Sequence, residues 1–102
     1  MKTVSLLGST GSIGTNVLEV VRQFPEKYKI AGLAAGRNVE LVAKQALEFQ
    51  PELISVLDEE ISRKLKTLLP SKMHGRVVYG IEGSEQVASI DAADMTVSAI
   101  VG

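Results

Sequence analysis

Apolar residues along this chain gather into short runs, separated by stretches in which they recur every three or four positions. Residues 2–7, 29–35, 52–57, 75–79 and 94–101 are runs with strand character. Between them the spacing predicts helices. Residues 12–24 place Ile13, Val17, Val20, Val21 and Phe24 on one stripe, and Pro25 stops the pattern. Residues 39–50 place Val42, Ala46 and Phe49 together behind a capping Asn38, and Pro51 ends them. Asp58 offers the next cap, with Glu59 and Glu60 in the first turn, where the helix dipole favours negative charge. Ile61, Leu65, Leu68 and Leu69 form the core face there, and Pro70 closes it. A short helix is expected at residues 84–89. Met73 is expected in a loop and Met95 in the core.

Strands separated by helices of about 10 to 15 residues imply right-handed crossovers and a parallel sheet. The strands are mostly apolar without alternation, as both-sided burial requires. The expected fold is therefore α/β, a doubly wound parallel sheet. The second strand, KIAGLAA, has small side chains, which would let a helix or ligand approach the sheet closely. The pattern runs out on a fifth strand, so the chain is expected to be part of a longer enzyme, its sheet truncated to about five strands.

Composition narrows the function classes. The 102 residues suit one small domain. Lys plus Arg number 11 against 12 for Asp plus Glu, a balance that argues against a nucleic-acid partner. No apolar run approaches the roughly 20 residues of a membrane helix, so no membrane partner is expected either. The first strand starts near residue 2, which leaves no room for a targeting peptide. Cysteine is absent, which removes thiol catalysis and disulfides and fits a cytoplasmic location.

The chemistry lies at two strand ends. GSTGSIG follows the first strand, with Gly8, Gly11 and Gly14 spaced G-x-x-G-x-x-G, and a helix follows at once. Strand, glycine turn and helix lay a pyrophosphate on a helix N-terminus, the Rossmann-like arrangement. Gly8 lets the chain turn tightly, Gly11 clears the path of the pyrophosphate, and Gly14 lets the helix pack close to the first strand. Thr10 and Ser12 add hydroxyl donors. A nucleotide-hydrolase phosphate loop needs a lysine at the turn, and none occurs between Lys2 and Lys27. NAD-binding domains carry an acid at the end of the second strand to bond the ribose 2′-hydroxyl. Here Gly36-Arg37-Asn38 stands there instead. Arg37 would attract the 2′-phosphate of NADPH with a forked, permanently charged donor set. Gly36 would admit the adenosine end, and Asn38 could bond the phosphate while capping its helix.

GSTGSIG, LAAGRNV, EFQPELISV and SAIVG, in this order, resemble the N-terminal NADPH-binding domain of the 1-deoxy-D-xylulose 5-phosphate reductoisomerase family, over the whole chain. The resemblance implies that residues 1–102 are the NADPH-binding domain of an enzyme that isomerises and reduces 1-deoxy-D-xylulose 5-phosphate to 2-C-methyl-D-erythritol 4-phosphate, in non-mevalonate isoprenoid synthesis. It implies NADPH, a divalent cation (magnesium or manganese), a sugar-phosphate substrate and a homodimer. It places cofactor contacts on Thr10, Gly11, Ser12, Ile13, Gly36, Arg37 and Asn38, with Ala99 and Ile100 near the nicotinamide. The family's metal-binding acids and substrate-phosphate ligands fall beyond Gly102, so the chain by itself is expected to be inactive.

The remaining polar residues have plainer readings. Asp91 and Asp94 are solvated acids in a turn, and His74 is a loop residue. Two other functions compete with the leading one. The chain could be the cofactor domain of another NADP-dependent reductase, or a non-enzymatic dinucleotide-sensing module.

Overall fold

The computed structural model describes residues 1–100. Five strands form one all-parallel sheet: β1 (Lys2–Leu7), β2 (Tyr28–Ala34), β3 (Leu53–Val56), β4 (Val77–Tyr79) and β5 (Met95–Ser98). Their order is β4-β3-β2-β1-β5. Four helices connect them: α1 (Ser12–Gln23), α2 (Val39–Phe49), α3 (Glu59–Thr67) and α4 (Gly80–Ala88). This is the doubly wound, Rossmann-like sheet expected from the alternation of patterns.

Register shows which helix covers which face. Val4, Leu6, Ile30, Leu33 and Ile54 are matched across neighbouring strands and point to one side of the sheet. Leu18 and Val21 of α1 pack on that side, and Val42, Ala46 and Leu65 bring α2 and α3 to it. Ser5, Gly32 and Ser55 point to the other side, which α4 covers. That side is built of small groups. A Cβ added at Gly32 would lie 2.6 Å from Ile90 Cδ1 and 3.0 Å from Val87 Cγ1. The small side chains of the second strand therefore serve a close helix, as one of the two sequence readings proposed.

The structure corrects several elements. A helix expected at residues 84–89 instead begins at Gly80 and ends at Ala88, with Ser89 as its C-cap. Gly80 and Gly83 lower its intrinsic propensity. Yet Gly83 is what lets it dock, because a Cβ there would sit 2.5 Å from Ser55 Oγ and 3.2 Å from the Val78 carbonyl carbon. Ser71–Arg76 form a 3₁₀ turn, so the fourth strand is shorter than residues 75–79. Met73, expected in a loop, is fully buried on that turn, whereas Met95 is exposed on β5. The fifth strand ends at Ser98, and Val101, its expected last residue, lies outside the described residues, as does Gly102.

In α1 the buried face is Gly14, Leu18 and Val21 with Val17 beside it, while Ile13, Val20 and Phe24 of the expected stripe are 43–48% exposed. Two apolar stripes share this helix at the same spacing, and the side without a Cβ at position 14 is the one that comes closest to the turn. Leu68 is likewise exposed on the otherwise apolar face of α3. Asn38 and Asp58 act as the expected caps, accepting from Leu41 N at 3.2 Å and Ile61 N at 2.9 Å.

Arg22 clamps α1 to α2. Its Nε and Nη2 donate to the two carboxylate oxygens of Glu48 at 2.6 and 2.7 Å, and its Nη1 reaches Glu19. The hydrogen bonds from Arg22 hold the Glu48 carboxyl below its ordinary value. A depressed acid contributes stability above its unfolded pKa, about 4.3 for Glu, and loses it as pH falls through the folded value. Denaturant unfolding should therefore show a gap in stability between wild type and Arg22→Met at pH 7 that narrows below about pH 4. A gap of constant size would remove Glu48 from the acid dependence.

Candidate functional site

The strand order reverses at β1, with β2, β3 and β4 on one side and β5 on the other. In open α/β sheets the crevice at the carboxyl ends of the strands flanking such a reversal is where ligands bind. The glycine turn sits there.

Gly8 leaves β1 at φ +83°, a conformation that favours glycine. A Cβ on it would lie 3.0 Å from the carbonyl carbon and oxygen of Ala99 and 3.1 Å from Ile100 Cγ1. The turn thus touches the residues after β5 directly, with Ala99 and Ile100 beside it. Gly14 is tighter still: a Cβ there would fall 2.0 Å from the Gly8 carbonyl oxygen and 2.8 Å from Ser9 Cα. Its closest neighbour is the turn itself, so Gly14 serves the approach of α1 to the turn more than to the strand before it.

The other two glycines are different. At Gly11 the nearest atom to an added Cβ would be the Gly8 oxygen at 3.6 Å, an ordinary contact, and at Gly36 nothing lies within 4 Å. Internal packing requires glycine at 8 and 14 but not at 11 and 36. Those two positions are open, as a close-approaching ligand would need.

The N-terminus of α1 has its donors uncommitted. Its first N–H groups have no intrahelical acceptors. The N-cap is Gly11, no side chain caps the helix, and no acid stands in its first turn. By contrast, α2 and α3 are capped by Asn38 and Asp58 and carry Glu40, Glu59 and Glu60 in their first turns. Positive potential and free N–H groups therefore converge at Ser12 and Ile13, while the Gly11 N–H donates to Gly8 O at 3.2 Å and holds the turn. Ser12 and Ile13 are exposed there, and Thr10 is half-buried beside them.

Gly36-Arg37-Asn38 follows β2 on the same edge of the sheet. Gly36 O accepts from Leu57 N at 3.2 Å, which ties this loop to the end of β3. Arg37 is exposed and, among the described residues, forms no ion pair. Asn38 spends its Oδ1 on the cap of α2, which leaves its amide N–H groups as donors.

Elsewhere, Asp94 is occupied by the fold: its Oδ2 accepts from Thr3 N at 2.8 Å and its own N–H donates to Thr3 O at 2.7 Å. His74 Nε2 lies 3.0 Å from Leu69 O on the 3₁₀ turn. Among the described residues no three His, Asp or Glu side chains converge, and no helix is long and apolar enough to cross a membrane. Sequence patterning missed Gln45, which is 4% exposed on α2 and donates from Nε2 to Ser9 O at 2.9 Å. A polar residue on an apolar helical face was the available signal.

Residues 4–102 match the sequence profile of a family described as 1-deoxy-D-xylulose 5-phosphate reductoisomerase. Proteins of that description from Pelodictyon phaeoclathratiforme and Chlorobaculum tepidum are 52% and 51% identical over 102 residues, all of this chain and 26% of each relative. The crystal structure of DOX-P reductoisomerase with NADPH, fosmidomycin and magnesium superimposes with a TM-score of 0.86 at 32% identity, covering 100% of this chain and 25% of that one. The Zymomonas mobilis reductoisomerase in complex with NADPH gives 0.88 at 30% identity, covering 99% of this chain and 26% of that one. The chain thus spans about a quarter of the length of the relatives it matches.

The division between tight and open glycines is testable. Gly14→Ala drives a methyl into backbone and should cost at least about 2 kcal/mol in denaturant unfolding, the upper part of the range for overpacking. Gly11→Ala should unfold within about 0.5 kcal/mol of wild type, as a surface change does. Equal losses at the two positions would contradict the geometry.

Proposed function

The chain belongs to the 1-deoxy-D-xylulose 5-phosphate reductoisomerase family, and from that membership we propose that residues 1–102 are the NADPH-binding domain of a longer enzyme. The observation that carries this reading is the uncapped, acid-free start of α1 beside the open Gly11, with Arg37, which has no ion pair among the described residues, at the next strand end. The backbone N–H groups of Ser12 and Ile13, with the hydroxyls of Thr10 and Ser12, receive the pyrophosphate over the open Gly11. Gly8 and Gly14 hold the turn in shape. Arg37 pairs with the 2′-phosphate, helped by the Asn38 amide, and Gly36 leaves room for the adenosine. Ala99 and Ile100 lie toward the nicotinamide.

When bound, NADPH supplies the hydride for reduction of the rearranged sugar phosphate. This chain's part is to bind and orient the coenzyme. Contacts to 1-deoxy-D-xylulose 5-phosphate and to the magnesium or manganese ion belong to the remainder of the enzyme, so the chain alone does not turn over. The enzyme acts in isoprenoid synthesis as a cytoplasmic homodimer, with no nucleic-acid or membrane partner. The fold supports the dinucleotide assignment, and the family supports the reaction.

Arg37 provides the test. A charge-assisted hydrogen bond contributes roughly 1.5–3 kcal/mol, about one to two decades of affinity. Fluorescence titration should show wild type preferring NADPH over NADH by about that factor, and Arg37→Glu should abolish the preference while leaving NADH affinity nearly unchanged. Equal affinities in wild type, or an unaltered preference in the variant, would overturn the assignment.

A further inference from the structure

Gln45 lies in the middle of the buried face of α2, yet it is not apolar. Its Nε2 donates to the carbonyl oxygen of Ser9 at 2.9 Å, across the gap between α2 and the glycine turn. Its Oε1 and the hydroxyl of Ser9 are enclosed without a partner among the described residues. Burying an amide with one end unpaired costs more than burying an apolar side chain of the same size. A leucine or methionine would serve packing better. The side chain therefore does something packing does not require.

Its one bond fixes the direction of a peptide group. The Ser9–Thr10 peptide is planar and trans, so the Thr10 N–H points opposite to the Ser9 carbonyl. With that carbonyl held toward α2, its partial negative charge is kept away from the α1 N-terminus, and the Thr10 N–H faces the other way. A flip of this peptide would present an oxygen where the pyrophosphate is proposed to sit. Meanwhile the N–H groups of Gly8 and Ser9 both donate to Ala34 O, at 2.7 and 3.0 Å. The turn thus hangs from the end of β2 and from α2, the two elements that flank Arg37.

We propose that Gln45 is a positioning residue that holds the Ser9–Thr10 peptide in the phosphate-accepting orientation. This rests on the dinucleotide reading above, and the experiment separates the two. Wild type, Gln45→Met and Gln45→Leu are prepared in the full-length protein and titrated with NADPH, NADH and adenosine 2′-monophosphate, well below their unfolding midpoints. Both variants lack the donor. Loss of one buried hydrogen bond should weaken NADPH and NADH in parallel, by about fivefold to tenfold. Adenosine 2′-monophosphate, which has no pyrophosphate, should bind as before. Unchanged dinucleotide affinity would overturn the proposal. So would a common loss for all three ligands, which is what general damage to α2 would produce. If Gln45→Met does not fold, Gln45→Leu decides by the same criteria. A wild type that binds none of the three overturns the dinucleotide reading itself, and this inference with it.

Discussion

A few ångströms of backbone around Gly8 organise this end of the molecule. On one side the chain after β5 comes within 3.0 Å of where a Gly8 side chain would be. On the other, the first turn of α1 leans so close that Gly14 would push a Cβ into the Gly8 carbonyl. Below, the Gly8 N–H is bonded to the end of β2. Three elements meet at one residue, and only a chain without side chains at positions 8 and 14 lets them meet. The start of α1 is aimed at the crevice because these contacts set its position. They also explain which apolar stripe of α1 is buried.

The helix ends divide the labour. The N-termini of α2 and α3 are closed by their own caps and acids, so their dipoles are spent on the fold. The N-terminus of α1 is closed by nothing covalently near it. That helix end is left to water or to an approaching anion. Arg37 adds a second, separate centre of positive charge at the next strand end, on a side chain with no ion pair among the described residues. Two cationic centres at neighbouring strand ends match a ligand with phosphates at two places.

The two faces of the sheet are built on different rules. Branched side chains fill the face under α1, α2 and α3, whereas the face under α4 is lined by Ser5, Gly32 and Ser55. Small groups bring α4 down onto β1, β2 and β3, besides the β4 that it follows. That helix is the crossover carrying the chain from β4, at one edge, to β5, at the other. Its close seat fixes the far side of the crevice, and through Ala99 it fixes the neighbour of Gly8.

Local signals in the sequence were strong wherever a residue acts on its own neighbours. Pro25, Pro51 and Pro70 end patterns through their ring geometry, and Asn38 and Asp58 cap through bonds three residues long. The strand–turn–helix order and the spacing of Gly8, Gly11 and Gly14 marked the glycine turn after β1, because strand, break and helix follow one another directly along the chain. Signals failed where distant residues decide. The helix at Gly80 contradicts propensity and exists because Gly83 meets Ser55. Met73 and Met95 exchanged their expected places because burial depends on what lies across the fold. Gln45 stood out in the sequence only as a polar residue on an apolar face, and its role needs the carbonyl it reaches, 36 residues away. The sequence by itself determined the parallel α/β order and the position of the turn, since both follow from short-range sterics and periodicity. Only the tertiary structure decided which face of α1 is buried, and which glycines are held tight and which stand open, because those depend on atoms brought together by the sheet.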